Sequence, residues 1–385
     1  MSSILSRLLP PYEKPEPLKP GMYHWMAPDD APIPYRLHLR VEGEGTSILI
    51  VNAATVLHLN PTATAHALQL IEGASEESAA EAIANRYRVS RRRALQDQRE
   101  LREQINTLAT IPDIDPVVFL GMDRTEPYAE HPSAPYRLDL ALTYRCDPDG
   151  TLDPLARRRV DRELNTTEWK QIIATAWEAG IPHITFTGGE PTLRIDLSDL
   201  IAFAEGTGQV TGLLTDGRRL ADETYLESLS QAGLDHILVA LVVEDATSMQ
   251  GLKNALASDV FTAAHLTLTP KMIGMVNKTL EELVEIGVPA VSLSTSDTTE
   301  KMAKELSEAR DYAASLDLDL IWDLPAPYSS ANPIVLELDV PPVGAGRAWL
   351  YIEPDGDVLP AQGINQVLGN FLRDPWSDIW SAARG

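Results

Sequence analysis

Between residues 180 and 295, apolar and polar stretches alternate on a fixed beat. "EAGIPHITF", "QAGLDHILV" and "EIGVPAVSL" each join a helix end to a glycine and then to a strand-like apolar run. Their glycines, 180, 233 and 287, stand 53 and 54 residues apart. Half-way between lie the weaker copies "GTGQVTGLL" and "SDVFTAAHL", so the repeating unit is about 27 residues, one strand with its crossover helix. The beat runs back through "YRLDLALTYR" and "TTEWKQIIATAWEAG", with Thr166 as the expected N-cap and Gly180 as the helix stop. It runs forward through "LDLDLIWDL". Trp169 and Trp177, eight apart on one helix, are expected on its core face. Six or seven such modules predict an α/β fold: a parallel sheet curled into a partial (β/α)6-type, TIM-like barrel over residues 136–330.

The flanks read differently. Residues 35–61 hold the short β runs "YRLHLRVE", "SILIVN" and "TVLHLN", followed by three helical stretches. In the last, Leu101, Ile105 and Leu108 share a face by i, i+4, i+7 spacing. Strands followed by helices predict a small α+β, winged-helix-like domain over 22–110 after an N-terminal tail, 1–21. The Pro-rich, acidic segment 111–135 reads as a linker. The end of the chain, 331–385, reads as a β-hairpin turning at "DG", then a short amphipathic helix "DPWSDIW".

Composition narrows the functions open to this chain. It has 32 Lys and Arg against 56 Asp and Glu, a formal charge of −24. Such a field repels phosphate backbones, so no nucleic-acid partner is expected. The basic run "ARRRVDR" (156–162) reads as a solvated face. No apolar run approaches the ~20 residues needed to cross a bilayer, and no signal peptide is legible, so no membrane partner and a cytoplasmic location are expected. A single cysteine, Cys146, rules out an intramolecular disulfide and a cysteine-built metal site. The eight histidines show no metal-ligand spacing; His183 and His236, at strand starts, read as structural.

Ligands of such sheets sit at the carboxyl ends of the strands. That rule nominates Thr187–Glu190, Thr215–Gly217, Glu244 and Asp245, Thr269, Ser294 and Ser296. "TFTGGEP" (185–191) is the richest of these segments. Gly188 and Gly189 allow close backbone approach, Glu190 offers an acceptor for an ammonium group, and Pro191 directs the exit.

Three blocks, "LTYRC", "TFTGGEPTL" and "LLTDG", resemble in order and spacing the radical S-adenosylmethionine (SAM) enzymes. The tail "LYIEPDGDVLPAQG…LGNF…DPWSDIW" resembles the SPASM or twitch extension of their peptide-modifying branch. The N-terminal domain resembles the PqqD-like element, which grips a precursor peptide by adding it as a β-strand. The resemblance implies a SAM site at Gly188, Gly189, Glu190, Pro191, Thr215 and Asp216, and a [4Fe–4S] cluster on three cysteines of the first loop. Here those positions hold Cys146, Gly150 and Asp153, and the auxiliary-cluster positions hold Val343 and Ala361. Glycine has no ligand atom and aspartate is a hard donor, so no cluster is expected.

Three readings follow. The first is a cluster-free, radical-SAM-like pseudoenzyme that binds a ribosomal precursor peptide, as a carrier or as partner to a separate catalytic protein. The second is an enzyme that keeps SAM as a cofactor for non-radical, polar group transfer. The third is a barrel enzyme without SAM, using Glu190, Asp216, Glu244 or Asp245 as acid–base groups.

Overall fold

The computed structural model describes residues 15–28, 31, 33, 35–111, 114–121, 132–146, 159–295, 299–320 and 341–384. The chain divides into two compact units, Met1–Thr125 and Glu126–Gly385.

In the first unit, β1 (Gly21–Met26), β2 (Arg36–Val41), β3 (Ser47–Val51) and β4 (Thr55–Leu59) form an antiparallel meander in that order. Helices α1 (Pro61–Ile71), α2 (Glu76–Tyr87) and α3 (Arg91–Thr110) follow, capped by Asn60, Ser75 and Ser90. A one-turn helix, α4 (Pro116–Leu120), ends the described part. "SILIVNAATVLHLN" is a hairpin. Asn52 and Ala53 take φ of 52° and 56° at its turn, and the Asn52 side chain accepts from the Arg36 amide and donates to the Ala109 carbonyl. Leu37, Leu39 and Leu49 pack against Ile71, Ile105 and Leu108. The pattern did not predict β1: "GMYHWM" lacks a clear alternation, and its pairing with β2 makes it a strand. The outer edges of the sheet are β1 and β4.

The second unit is built on a ten-stranded sheet. Strands β5 (Arg137–Thr143), β6 (His183–Gly188), β7 (Val210–Thr215), β8 (His236–Ala240), β9 (Phe261–Leu268), β10 (Ala290–Thr295) and β11 (Asp319–Leu320) run parallel in sequence order. On the other side of β5, β12 (Trp349–Ile352) adds in parallel, followed by antiparallel β13 (Asp357–Leu359) and β14 (Gly369–Asn370). The linking helices are α5 (Thr166–Glu178), α6 (Leu197–Thr207), α7 (Glu223–Gln231), α8 (Ala246–Leu256), α9 (Val276–Glu285) and α10 (Glu300–Ser315), with α11 (Trp376–Ala383) last.

The N-cap of α5 is Asn165, not Thr166. Asn165 accepts from the Glu168 amide while the Glu168 carboxylate returns to the Asn165 amide, a closed capping box. Thr166 is instead the first helical residue, and its hydroxyl bonds Asp196.

Alternate residues along each parallel strand serve opposite faces. Ile184, Phe186, Leu213 and Val239 join Trp169, Ile172 and other helix residues in one large core. The intervening positions Leu214, Leu238, Ala240, Ala263 and Ala290 form a separate cluster on the helix-free face. His183 and His236 sit at strand starts with ring centroids 4.9 Å apart, edge to face, and burial pulls His236 down to about 4. Among the described residues no helix is long and apolar enough to cross a membrane.

Candidate functional site

The carboxyl ends of β5, β6, β7 and β8 converge on "TGGEP". Gly188 adopts φ +124°, and a Cβ there would stand 2.3 Å from the Thr143 carbonyl oxygen. At Gly189 a Cβ would stand 2.3 Å from the Arg145 carbonyl oxygen and 2.9 Å from Cys146 Sγ. The Gly189 amide donates to Thr143 O and the Glu190 amide to Arg145 O, both at 2.7 Å. The two glycines are therefore required by the crossing of the β5 and β6 exits, and these two amides are engaged within the chain.

The Glu190 carboxylate is also engaged. It is 4 % exposed and caps a short 3-10 turn, Pro191–Leu193. Oε1 accepts from the Thr192 amide (2.9 Å), the Thr192 hydroxyl (2.5 Å) and the Thr215 hydroxyl (2.8 Å); Oε2 accepts from the Asp216 amide (2.7 Å). The side chain joins the exit of β6 to that of β7. Burial, seconded by the nearby Asp216 charge, pushes Glu190 up to about 7, although the Asp216 amide and the Thr192 hydroxyl and amide pull the other way.

Asp216 and Asp245 share one guanidinium. Arg218 Nη1 lies 2.5 Å from Asp216 Oδ2, and Arg218 Nε lies 2.7 Å from Asp245 Oδ2. Asp245 also caps α8 through the Thr247 and Ser248 amides, and Arg218 holds its carboxyl below the usual range. Glu244 is exposed beside it. The candidate acids are thus brought near one another, but Glu190, Asp216 and Asp245 each answer to partners in the chain.

Cys146 is half-buried, its Sγ 3.6 Å from the Tyr144 carbonyl oxygen. Gly150 and Asp153 lie outside the described residues. The Tyr144 hydroxyl donates to Glu353 Oε1 at 2.6 Å, and Arg159 Nε pairs with the same oxygen at 2.5 Å. Arg159, from the basic run expected to be solvated, is a partly buried tie between the β5 exit and the tail. Its partner lies far along the chain, so local charge patterning could not reveal it. Ala361 is fully buried with Ala348 and Trp349, an apolar packing unit, while Val343 is 79 % exposed. The residues at both cluster positions do not fit an iron–sulfur centre: one thiol serves the whole chain, and alanine in apolar packing offers no donor. Among the described residues, no group of three His, Cys, Asp or Glu is placed to hold a metal ion.

The sequence reading missed His265. On β9, its Nδ1 lies 3.0 Å from Ser292 Oγ and its Nε2 lies 2.9 Å from Ser294 Oγ and 3.2 Å from Thr267 Oγ1. Ser294 was nominated, whereas Thr269 has no part in this network; Ser296 lies outside the described residues. The available signal was parity: His265 is two residues beyond Ala263, on the helix-free side.

Residues 145–242 match the family model of the radical SAM superfamily. The chain is 28% identical over 293 residues to the PqqA peptide cyclase of Streptomyces rochei, covering 65% of this chain and 77% of that one. It is 27% identical over 277 residues to that of Rhizobium meliloti, covering 62% and 72%. In fold it is similar to Streptococcus suis SuiB bound to the precursor peptide SuiA, with a TM-score of 0.58 and 16% identity over 89% of this chain and 86% of that one. SuiB bound to S-adenosylmethionine gives a TM-score of 0.55 and 16% identity over 93% and 88%. Residues 145–242 are thus similar to the radical SAM superfamily, and the chain is similar in sequence to PqqA peptide cyclases and in fold to SuiB.

Proposed function

We propose that this protein is a cluster-free, radical-SAM-like pseudoenzyme that binds a ribosomal precursor peptide and serves peptide natural-product maturation as a carrier, or as partner of a separate catalytic protein. The carrying observation is the donor set. One cysteine cannot hold a [4Fe–4S] cluster, and the surrounding carboxylates and amides are tied to one another. The peptide is assigned to the PqqD-like N-terminal domain, whose sheet has open edges at β1 and β4 for strand addition. The parallel sheet is read as a partial barrel, because its helix-free face is buried without helices of its own; the tail is read as a SPASM-like extension. A cytoplasmic setting accords with this role.

Two measurements test the proposal. An anaerobic preparation should be colourless and iron-free; a brown preparation with stoichiometric iron overturns it. Fluorescence anisotropy with labelled PqqA and SuiA, the peptides named with its relatives, should show saturable binding to the full chain, and no binding of either overturns the peptide assignment.

A second reading, SAM-dependent polar transfer, is favoured by the intact Gly188–Pro191 loop. Gly188, Gly189, Glu190, Pro191, Thr215 and Asp216 would hold SAM. Against it, three donors crowd Oε1 of Glu190 and a fourth occupies Oε2, so this carboxylate does not fit an ammonium acceptor. Calorimetric titration with SAM and S-adenosylhomocysteine decides: micromolar binding favours the second reading, no heat the first. The carboxylate acid–base reading is left with exposed Glu244 and has no geometry in its favour.

A further inference from the structure

In the first unit a cavity of about 550 Å3 opens between β1 and α3. Its walls are apolar: Leu70, Ile105 and the rings of Trp25 and Tyr35, whose centroids stand 5.1 Å apart at an interplanar angle of 51°. A Cβ at Gly73, also on the lining, would meet nothing within 4 Å, and Arg102, Glu103 and Asn106 are exposed. A side chain therefore has both room and a way in.

β1 turns its open backbone to the same place. It is an outer strand of the sheet, and the Ala27 amide donates to the Tyr35 carbonyl in line with the β1–β2 register. Bonded pairs alternate along an antiparallel ladder. Tyr23 and Trp25 thus bond β2, while Met22 and Met26 aim N–H and C=O away from it. The side chains of Tyr23 and Trp25 pack with the helices. A strand added to β1 would set every second side chain on that side, over the cavity.

The charged lining is Arg99, Arg102 and Glu103. Arg99 is held by Glu76 at 2.7 Å. Arg102 and Glu103 make no hydrogen bond or ion pair among the described residues. Burial raises the Tyr35 phenol and the Arg102 charge pulls it back, so this guanidinium bears on the aromatic wall; Glu72 bears on Tyr23 instead. A carboxylate entering beside the rings would meet Arg102, with Glu103 as the opposing charge on the lining.

The geometry points to a side-chain preference in the bound peptide: along β1, a large apolar or aromatic residue seated on Trp25 and Tyr35, with an acidic residue two positions away meeting Arg102. The spacing of two follows from the strand period. This inference rests on the peptide reading, and it selects β1 over β4 as the edge that is used.

The test is fluorescence anisotropy on the full chain with two labelled strand peptides. One is Ser-Val-Glu-Thr-Phe-Thr-Glu-Val-Ser, symmetric so that either strand direction serves; the other has lysine in place of both glutamates. Wild type should bind the glutamate peptide about fivefold more tightly at low salt, with the gap closing as salt rises. Arg102→Glu, an exposed change, should reverse the order, and Glu103→Gln should strengthen the glutamate peptide. Trp25→Ala should weaken both peptides about tenfold or more while circular dichroism is unchanged. The proposal is overturned if wild type binds neither peptide or binds both equally, if Arg102→Glu keeps the wild-type order, or if Trp25→Ala binds as wild type does. PqqA and SuiA separate the two failures. If either binds wild type and both variants alike, the groove falls and the peptide reading stands; if neither binds wild type, both fall.

Discussion

The two faces of the parallel sheet come from the same strands, one residue apart, yet they obey different rules. The face under the helices is continuous and aliphatic: Ile184, Phe186, Leu213, Ile237, Val239 and Leu266 are all at most 1 % exposed within one core. The opposite face alternates small apolar residues with hydroxyls and His265, and towards the carboxyl ends it gives way to the ion pairs of the rim. The first face holds the fold together. The second has small side chains and polar atoms, the composition of ligand sites. The contrast separates an aliphatic face from one that mixes hydroxyls and an imidazole into its packing, and it can be broken or sharpened experimentally.

The largest effect is expected from Phe186→Ala on the helix-covered face. Denaturant unfolding should register a loss of about 3–5 kcal/mol, because a fully buried aromatic ring leaves a cavity. If Phe186→Ala costs no more than Thr187→Val, the division between the faces fails. Next, Gly189→Ala should destabilise by about 1–3 kcal/mol, since the new Cβ meets the Arg145 carbonyl at 2.3 Å and backbone must shift. A neutral result there would mean that the β5 exit is free to move.

Glu190 tests the rim through pH. Its folded pKa is raised from 4.5 to about 7 by burial, so the folded chain holds a proton that the unfolded chain releases within that window. Stability should therefore fall as pH rises from about 4.5 to 7, by roughly 1.4 kcal/mol for each unit of difference. Glu190→Gln should flatten this slope in urea titrations at several pH values; an unchanged slope would assign it to another group. The smallest effect belongs to Arg218→Gln. The Arg218 side chain is 35% exposed, and part-exposed pairs contribute about 0–1 kcal/mol. A loss well above that would mark the Asp216–Arg218–Asp245 clasp as a structural element.

Much of the fold was legible locally. The module of about 27 residues placed β6 to β11 because a strand with its crossover helix is a self-contained period, and "DG" marked the β12–β13 hairpin. What escaped was nonlocal. β1 owes its strand to pairing with β2, and β12 enters the parallel sheet beside β5 through Trp349–Ile352 meeting Arg137–Leu140. At the site, the reading found Glu190, Asp216 and Asp245 but not their partners. It read the glycines as room for a ligand; that a Cβ at either would also meet the Thr143 or Arg145 carbonyl was not legible. Arg159 looked solvated until Glu353, distant in sequence, came beside it.

Periodicity and residue type were enough to establish the repeated βα modules, the small N-terminal α+β unit and the shortage of thiolates, because these depend on neighbours in sequence or on counting. Tertiary structure alone decided that Glu190 is a strut between two strand exits, that Arg218 answers the two rim acids, and that Thr187 Oγ1 has no hydrogen-bond partner among the described residues. Each of those facts is a contact between residues far apart in the chain, and hydrogen bonds and desolvation are set by the distances that folding creates.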